Sequence, residues 1–458
     1  MKKNDIVALC VEEINNLGHG VAHLKNPDGS RGQVVFVTGG VTGDEVDARI
    51  IKINKSFLVA KVEKLRKPSP LRTEDTCPAK GCGGCVYRLV RYEHELELKR
   101  EHVQSAFRKA GLPDVKVGEV RHTGELTEYR NKAQYPVCSG KDGMRVGFYA
   151  CATHRVVPVR RCQLQPECFG EITDWICSFC DQKGISAYDE ETGRGLLRHV
   201  YLREGRRSGE VMVCLVVNGK SLPYEGDLAK GLTEAFPFVT GVLLNVNEKN
   251  TNVILGEKYR LLTGRDWIED TLCGLRFRIS AGAFYQVNHD ACELLYGIAR
   301  ERTALTGKET LLDLYCGIGT IGLSMAHDAK EVIGIEIVEE AVERATENAV
   351  LNGIGNAFFY CGDATDARRL LENAEESRGR IEDATVILDP PRKGSTPELI
   401  SYLAGRGFSR IVYVSCNPDT LARDCALFAE LGYDIGEVTP VDMFPRTGHV
   451  ESVVCLER

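Results

Sequence analysis

The stretch Thr310-Leu311-Leu312-Asp313-Leu314-Tyr315-Cys316-Gly317-Ile318-Gly319-Thr320-Ile321-Gly322 decides the fold of the C-terminal part of this 458-residue chain. A short, mostly apolar run followed by three closely spaced glycines predicts a buried strand, a tight turn and the start of a helix. The same unit recurs at once: Val332-Ile333-Gly334-Ile335-Glu336 leads into a helical pattern over residues 340–351. Further apolar runs follow at 357–360, 385–388, 410–414 and 453–456. Apolar strands alternating with helices specify a doubly wound, mostly parallel sheet, so residues 276–458 are expected to form a Rossmann-like α/β domain.

The Gly317-Ile318-Gly319-Thr320-Ile321-Gly322 pattern fits a dinucleotide-binding turn by letter, with Glu336 placed as a ribose ligand. Charge separates that reading from its rival. A dinucleotide brings a pyrophosphate to the turn, whereas S-adenosylmethionine brings a sulfonium and an ammonium group. Asp313 and Asp389 each stand at the end of a strand, where the ligand crevice of such a sheet lies, and there they repel a pyrophosphate and attract a cation. The methyl donor is the better match. A tight turn with no ligand is the plain alternative.

Upstream the pattern changes. Residues 5–64 alternate short strands with turn-rich segments such as Asn26-Pro27-Asp28-Gly29, the rhythm of a small five-stranded OB-type barrel. Lys67-Pro68-Ser69-Pro70 ends it, because closely spaced prolines cannot continue a strand ladder. Residues 67–275 read as a mixed α+β central domain, in which residues 92–110 form a highly charged helix ending at Gly111-Leu112-Pro113. The net charge is −7 overall, but it is −11 over residues 276–458 and +4 over residues 1–275, so the cations that a nucleic acid requires lie in the N-terminal part. The N-terminus lacks an apolar stretch of signal-peptide length, and no segment reaches about 18 apolar residues. A cytoplasmic protein without membrane association is expected, and its 18 cysteines then call for an explanation other than disulfides.

Two residues carry candidate chemistry. Cys416, in Tyr413-Val414-Ser415-Cys416-Asn417-Pro418, follows an apolar strand and precedes a helix over residues 419–431, where the positive end of the helix dipole is expected to lower its pKa. Glu451 lies near the chain end in Gly448-His449-Val450-Glu451-Ser452, and burial can raise it into the range of a general base. Carbon 5 of uracil becomes nucleophilic only after a thiolate adds at carbon 6, and a base must then remove the proton at carbon 5. A thiol and a carboxyl are the pair that this chemistry needs. Asp389-Pro390-Pro391-Arg392 offers a competitor, since amino-methyltransferases use a similar loop, but they place an aromatic residue where Arg392 stands.

Four separated stretches resemble the RNA uracil-5-methyltransferases: Asp313-Leu314-Tyr315-Cys316-Gly317, Leu388-Asp389-Pro390-Pro391-Arg392, Ser415-Cys416-Asn417-Pro418 with Thr420-Leu421-Ala422-Arg423-Asp424, and Met443-Phe444-Pro445-Arg446-Thr447-Gly448-His449-Val450-Glu451. The barrel, residues 1–66, looks like the TRAM module of the branch that acts on 23S ribosomal RNA. The resemblance implies Cys416 as nucleophile, Glu451 as base, and Gln286, Tyr315, Glu336, Asp363 and Asp389 as contacts to S-adenosylmethionine. From the residues alone, Asp363 follows a strand and can accept from the adenine amino group. Phe284, Tyr285 and Phe444 are candidates to stack on the target base or to serve as core.

Cys77-x4-Cys82-x2-Cys85 lies in a glycine-rich loop, Gly81-Cys82-Gly83-Gly84-Cys85, whose backbone freedom lets several thiolates converge. The resemblance adds Cys162 as the fourth ligand of a [4Fe-4S] cluster, with one departure: four residues separate Cys77 from Cys82 where the family commonly has five. A zinc site pairing Cys82 and Cys85 with Cys177 and Cys180 is a second reading, and unligated thiols a third. The expected function is methylation of carbon 5 of uridine in ribosomal RNA by a monomer, with transfer RNA as an alternative substrate. Amino-methylation of a base and a non-catalytic RNA-binding iron-sulfur sensor are the competing functions.

Overall fold

The computed structural model of the chain describes residues 1–381 and 383–458. The N-terminal unit is a six-stranded sheet of Ile6–Cys10, Glu13–Ile14, His19–Lys25, Arg31–Thr38, Glu45–Ile53 and Phe57–Lys67, curled around Val35, Val37, Ala48, Ile50, Leu58 and Ala60. The five-stranded expectation is one strand short. Glu13–Ile14 is too brief to show alternation, and His19, Gly20 and His23 dilute it in the next strand. Past the last strand, buried Asp44 fixes the exit of the chain, accepting from Ser69 N at 2.9 Å and from Arg72 Nε at 3.1 Å.

The central sheet has seven strands in the spatial order Lys258–Gly264, Val239–Val246, Val211–Val217, Leu197–Glu204, Lys132–Gly140, Gly143–Tyr149, Val156–Pro158. Helices Glu167–Lys183 and Glu225–Ala235 cover one face through Phe169, Ile172, Ile176, Leu228 and Leu232. The other face, with Tyr201, Met212 and Cys214, packs into the core of the C-terminal unit. Because both faces are covered, Val211–Val217 is buried at every position and shows no polar alternation.

In the C-terminal sheet the order is Ala357–Cys361, Glu331–Glu336, Thr310–Leu314, Ala384–Leu388, Arg410–Ser415, Glu451–Glu457, Asp434–Ile435. The first five strands are parallel, and Glu451–Glu457 runs antiparallel beside Arg410–Ser415. Helices His289–Thr303 and Glu339–Leu351 lie on one face, and Ala367–Arg378, Pro397–Arg406 and Pro418–Glu430 on the other. This is the doubly wound α/β fold that the strand alternation specified. The strand order reverses between Thr310–Leu314 and Ala384–Leu388, which opens a ligand crevice at their carboxyl ends. Helix Tyr92–Lys109, though early in sequence, packs on Pro418–Glu430 with Val103, Ala106 and Phe107 in the same core. Among the described residues no helix is long and apolar enough to cross a membrane.

Candidate active site

The glycine-rich turn is shaped by close approach. Gly319 has a left-handed φ of 81°, and a Cβ on Gly322 would stand 2.8 Å from Asp313 Oδ2. That oxygen accepts the Gly322 N–H at 2.8 Å, whereas Asp313 Oδ1 is buried without a partner. An unpaired carboxylate oxygen in a buried site is costly, and a cationic ligand group relieves the cost. Burial raises Asp313 to about 7, with Glu336 adding to the shift. Asp389 is likewise raised to about 7 by burial and by Asp313. Two adjacent carboxyls that resist ionisation form an acceptor for positive charge and a poor seat for phosphate.

Tyr315 takes a φ of 76°, a strained conformation for a non-glycine residue, at the lip of this crevice. Glu336 accepts from Gly317 N at 3.0 Å and Val338 N at 2.9 Å, which fixes its carboxylate beside the turn. Asp363 is exposed, accepts from Thr365 N at 2.9 Å and lies within electrostatic range of Tyr315. Gln286 is buried on a loop whose backbone is tied down: Asn131 Nδ2 donates to its carbonyl at 2.9 Å, and Asn131 N to Val287 O at 2.8 Å. Glu336 thus acts electrostatically on Asp313, and Asp363 on Tyr315, at the carboxyl ends of the parallel strands.

Cys416 and Glu451 come together through sheet register. Ser415 pairs with Ser452 at the end of the antiparallel ladder, and Cys416, one residue past its strand, lies close enough to Glu451 to feel its charge. Glu451 is 3% exposed, and burial with Asp389 pushes it up to about 8. The sequence expectation of a raised carboxyl holds. The expectation of a lowered thiol does not: burial, then Glu451 and Asp389, push Cys416 up to about 11, and Arg392 opposes them by hydrogen bonding the thiol. Asn417, not Cys416, occupies the cap of helix Pro418–Glu430, accepting from Asp419 N at 3.2 Å. The thiol thus sits outside the first turn, where the dipole falls off.

Several residues that position this pair gave no signal in sequence. The Arg392 carbonyl accepts from Asn417 Nδ2 at 2.9 Å and Thr420 Oγ1 at 3.2 Å, joining the Asp389 loop to the cysteine segment. Asp424 accepts from Tyr413 Oη at 2.6 Å and from Ser395 N at 2.8 Å, holding the far end of that loop. Below the strand of Glu451, fully buried Lys99 donates to Glu95 at 2.8 Å, Asp442 at 2.7 Å and Phe444 O at 3.1 Å. These charges of helix Tyr92–Lys109 face inward. His449 is lowered by burial and by Arg392, Lys99, Arg130 and His102, a local ring of cations in an acidic unit. Of the aromatic candidates, Tyr285 is core and donates to Asp270 Oδ2 at 3.2 Å, whereas Phe284 is 65% exposed.

Cys77, Cys82, Cys85 and Cys162 line one cavity of about 330 Å³, together with Arg88, Arg130 and Lys132. Burial and the charges of the other three thiols raise Cys85 to about 12. The zinc reading that joins Cys82 and Cys85 to Cys177 and Cys180 is overturned by placement: Cys177 and Cys180 are buried in the core of helix Glu167–Lys183, and the neighbours that Cys85 feels are Cys77, Cys82 and Cys162.

Residues 242–458 match the tRNA (Uracil-5-)-methyltransferase family and residues 3–62 the TRAM domain. An uncharacterised RNA methyltransferase of Halalkalibacterium halodurans is 39% identical over 459 aligned residues, covering 100% of this chain and 98% of that protein. One of Clostridium acetobutylicum is 38% identical, with 100% and 98% covered. The crystal structure of Pyrococcus abyssi tRNA (uracil-54, C5)-methyltransferase in complex with S-adenosyl-L-homocysteine superimposes with a TM-score of 0.75 at 27% identity, covering 98% of this chain and 100% of that one.

Proposed function

The chain belongs to the S-adenosylmethionine-dependent RNA uracil-5-methyltransferases, and from that premise we propose that it methylates carbon 5 of a uridine in 23S ribosomal RNA through a covalent bond to Cys416. The observation that carries the proposal is the proximity of the Cys416 thiol to the buried carboxyl of Glu451, whose charge it feels just beyond the Ser415–Ser452 pair. Asp313 and Asp389 hold the cationic methionine end of the donor, Glu336 its ribose and Asp363 its adenine, with Tyr315 and Gln286 closing the crevice. The bound donor supplies an electrophilic methyl group. Cys416 Sγ adds to carbon 6 of the base, and the ring electrons move to the enolate, whose carbon 5 takes the methyl group. Glu451 removes the proton from carbon 5, the double bond re-forms, and the thiolate leaves. Arg392, against the thiol, stabilises its ionised form before addition and after release.

Arg392 and Arg130 supply positive charge near His449 in an otherwise acidic unit, which suits the phosphates beside a flipped nucleotide. Cys77, Cys82, Cys85 and Cys162 would hold a [4Fe-4S] cluster, since the four thiols line one cavity and Arg88 and Arg130 beside them suit an anionic group. Transfer RNA is the second reading, favoured by the substrate of the Pyrococcus abyssi enzyme. We place the protein in the cytoplasm as a monomer, with units at residues 1–66, 67–275 and 276–458.

The test uses labelled donor with ribosomal and transfer RNA from cells lacking the protein, followed by mapping of 5-methyluridine. Cys416→Ala is expected to abolish methylation. Glu451→Gln is expected to accumulate a protein-RNA adduct that does not turn over, as is the wild type on 5-fluorouridine RNA. Methylation by Cys416→Ala at the wild-type rate, or no adduct with 5-fluorouridine, overturns the covalent mechanism in favour of direct transfer to an amino group. A label confined to transfer RNA selects the second substrate.

A further inference from the structure

Residues 15–18 of the barrel, Asn15-Asn16-Leu17-Gly18, form the turn between strands Glu13–Ile14 and His19–Lys25. The turn is rigid by its own hydrogen bonds. Asn15 Oδ1 accepts from Leu17 N and His19 N, both at 3.0 Å, and Gly18 N donates to Asn15 O at 2.9 Å. It is also seated firmly outside the barrel. Tyr87 Oη donates to Asn15 O at 3.2 Å, and Asn16 Nδ2 lies 3.3 Å from His102 Nε2. A Cβ on Gly448 would stand 1.9 Å from Asn16 O, so only glycine permits that approach.

Both contacts lead to the catalytic pair. Gly448 is three residues before Glu451, and His102 feels the charge of Asp419, three residues after Cys416. At the crest of this turn Leu17 is 65% exposed, between asparagine and glycine. A leucine held in water on a flexible loop says little. One fixed on a rigid turn whose neighbour Asn16 touches Gly448, in the segment that leads to Glu451, presents an apolar surface to an RNA that delivers its base there.

We propose that the turn at residues 15–18 is part of the acceptor site, with Leu17 packing against the RNA base next to the target uridine and filling the space left when that uridine flips out. Flipping costs unstacking energy, and an apolar side chain inserted at the vacated step offsets part of it. Asn16 keeps the turn in register with the Glu451 segment, so the barrel is a specificity element of the pocket itself as well as an anchor for RNA. The inference rests on the uridine-acceptor reading above.

The experiment compares wild type, Leu17→Ala and Leu17→Asp on an RNA hairpin spanning the mapped uridine, with 2-aminopurine at the adjacent position. Leu17→Ala is expected to lower kcat/KM for the hairpin about tenfold, the size of a lost isobutyl contact. Leu17→Asp should lower it further. The 2-aminopurine signal change seen with wild type should shrink in both variants, and the defect should narrow on a single-stranded RNA that needs no unstacking. Binding of S-adenosyl-L-homocysteine and Tm are expected to match wild type, which separates the effect from misfolding. Wild-type kcat/KM and 2-aminopurine response in both variants overturn the inference and leave the methyltransferase reading intact. Wild type that forms neither 5-methyluridine nor an adduct overturns both.

Discussion

At the residue scale the active site is a set of groups held in the protonation state opposite to the one they need. Glu451 is raised to about 8 and Cys416 to about 11, so at neutral pH the base is mostly protonated and the nucleophile mostly a thiol. In the proposed mechanism both groups work in their deprotonated forms. The rate of a single turnover with saturating donor is therefore expected to climb as pH rises from about 6.5 to 9, steepest near the Glu451 value. A flat profile across that window would show that neither group titrates where its surroundings place it. The donor changes the balance, because a cation beside Asp389 removes part of the repulsion that Asp389 exerts on both groups. Asp313 was legible as a candidate because a carboxylate at a strand end is visible in sequence. The thiol value was not, because burial of Cys416 and the proximity of two carboxyls arise only when three strands meet.

At the element scale, helix Tyr92–Lys109 supports the catalytic strand from beneath. Lys99 and Glu95 have no exposed side-chain surface, and with Asp442 they lock the segment that leads to Glu451. Removing the cation leaves two buried carboxylates with only Arg446, 3.7 Å from Glu95, as a charged partner, which costs far more than the pair gains over an apolar substitute. Lys99→Ala is expected to destabilise the fold by about 3–5 kcal/mol in denaturant unfolding. Replacing Lys99, Glu95 and Asp442 together by apolar residues of similar volume should recover much of that loss. A Lys99→Ala loss under about 1 kcal/mol would mean that water reaches the cluster. Periodicity showed that this stretch is a helix and gave its ends within a residue, but it could not show which charged face is buried. A helix rich in charge reads as solvated until its partner, here helix Pro418–Glu430 from the other end of the chain, covers it.

At the scale of the whole molecule, three units meet at the segment of residues 443–449. Tyr87, two residues beyond Cys85, donates its N–H to Arg446 O at 3.0 Å; Thr447 lines the cysteine cavity; Gly448 touches the barrel turn. Anaerobically prepared protein is expected to carry about four irons per chain. Cys162→Ser is expected to lose most of them, and full iron content in that variant would remove Cys162 from the ligand set. The sequence by itself determined the α/β alternation of the C-terminal unit and the barrel rhythm, and it made Asp313, Asp389, Cys416 and Glu451 candidates, because these depend on local periodicity and on residue type. Tertiary structure alone decided that Cys416 lies close to Glu451, that Cys162 rather than Cys177 or Cys180 joins the cysteine loop, and that the barrel reaches the segment leading to Glu451. Each of those is a contact between segments distant along the chain. Strand register, burial and docking set such contacts, and none of the three leaves a period in the sequence.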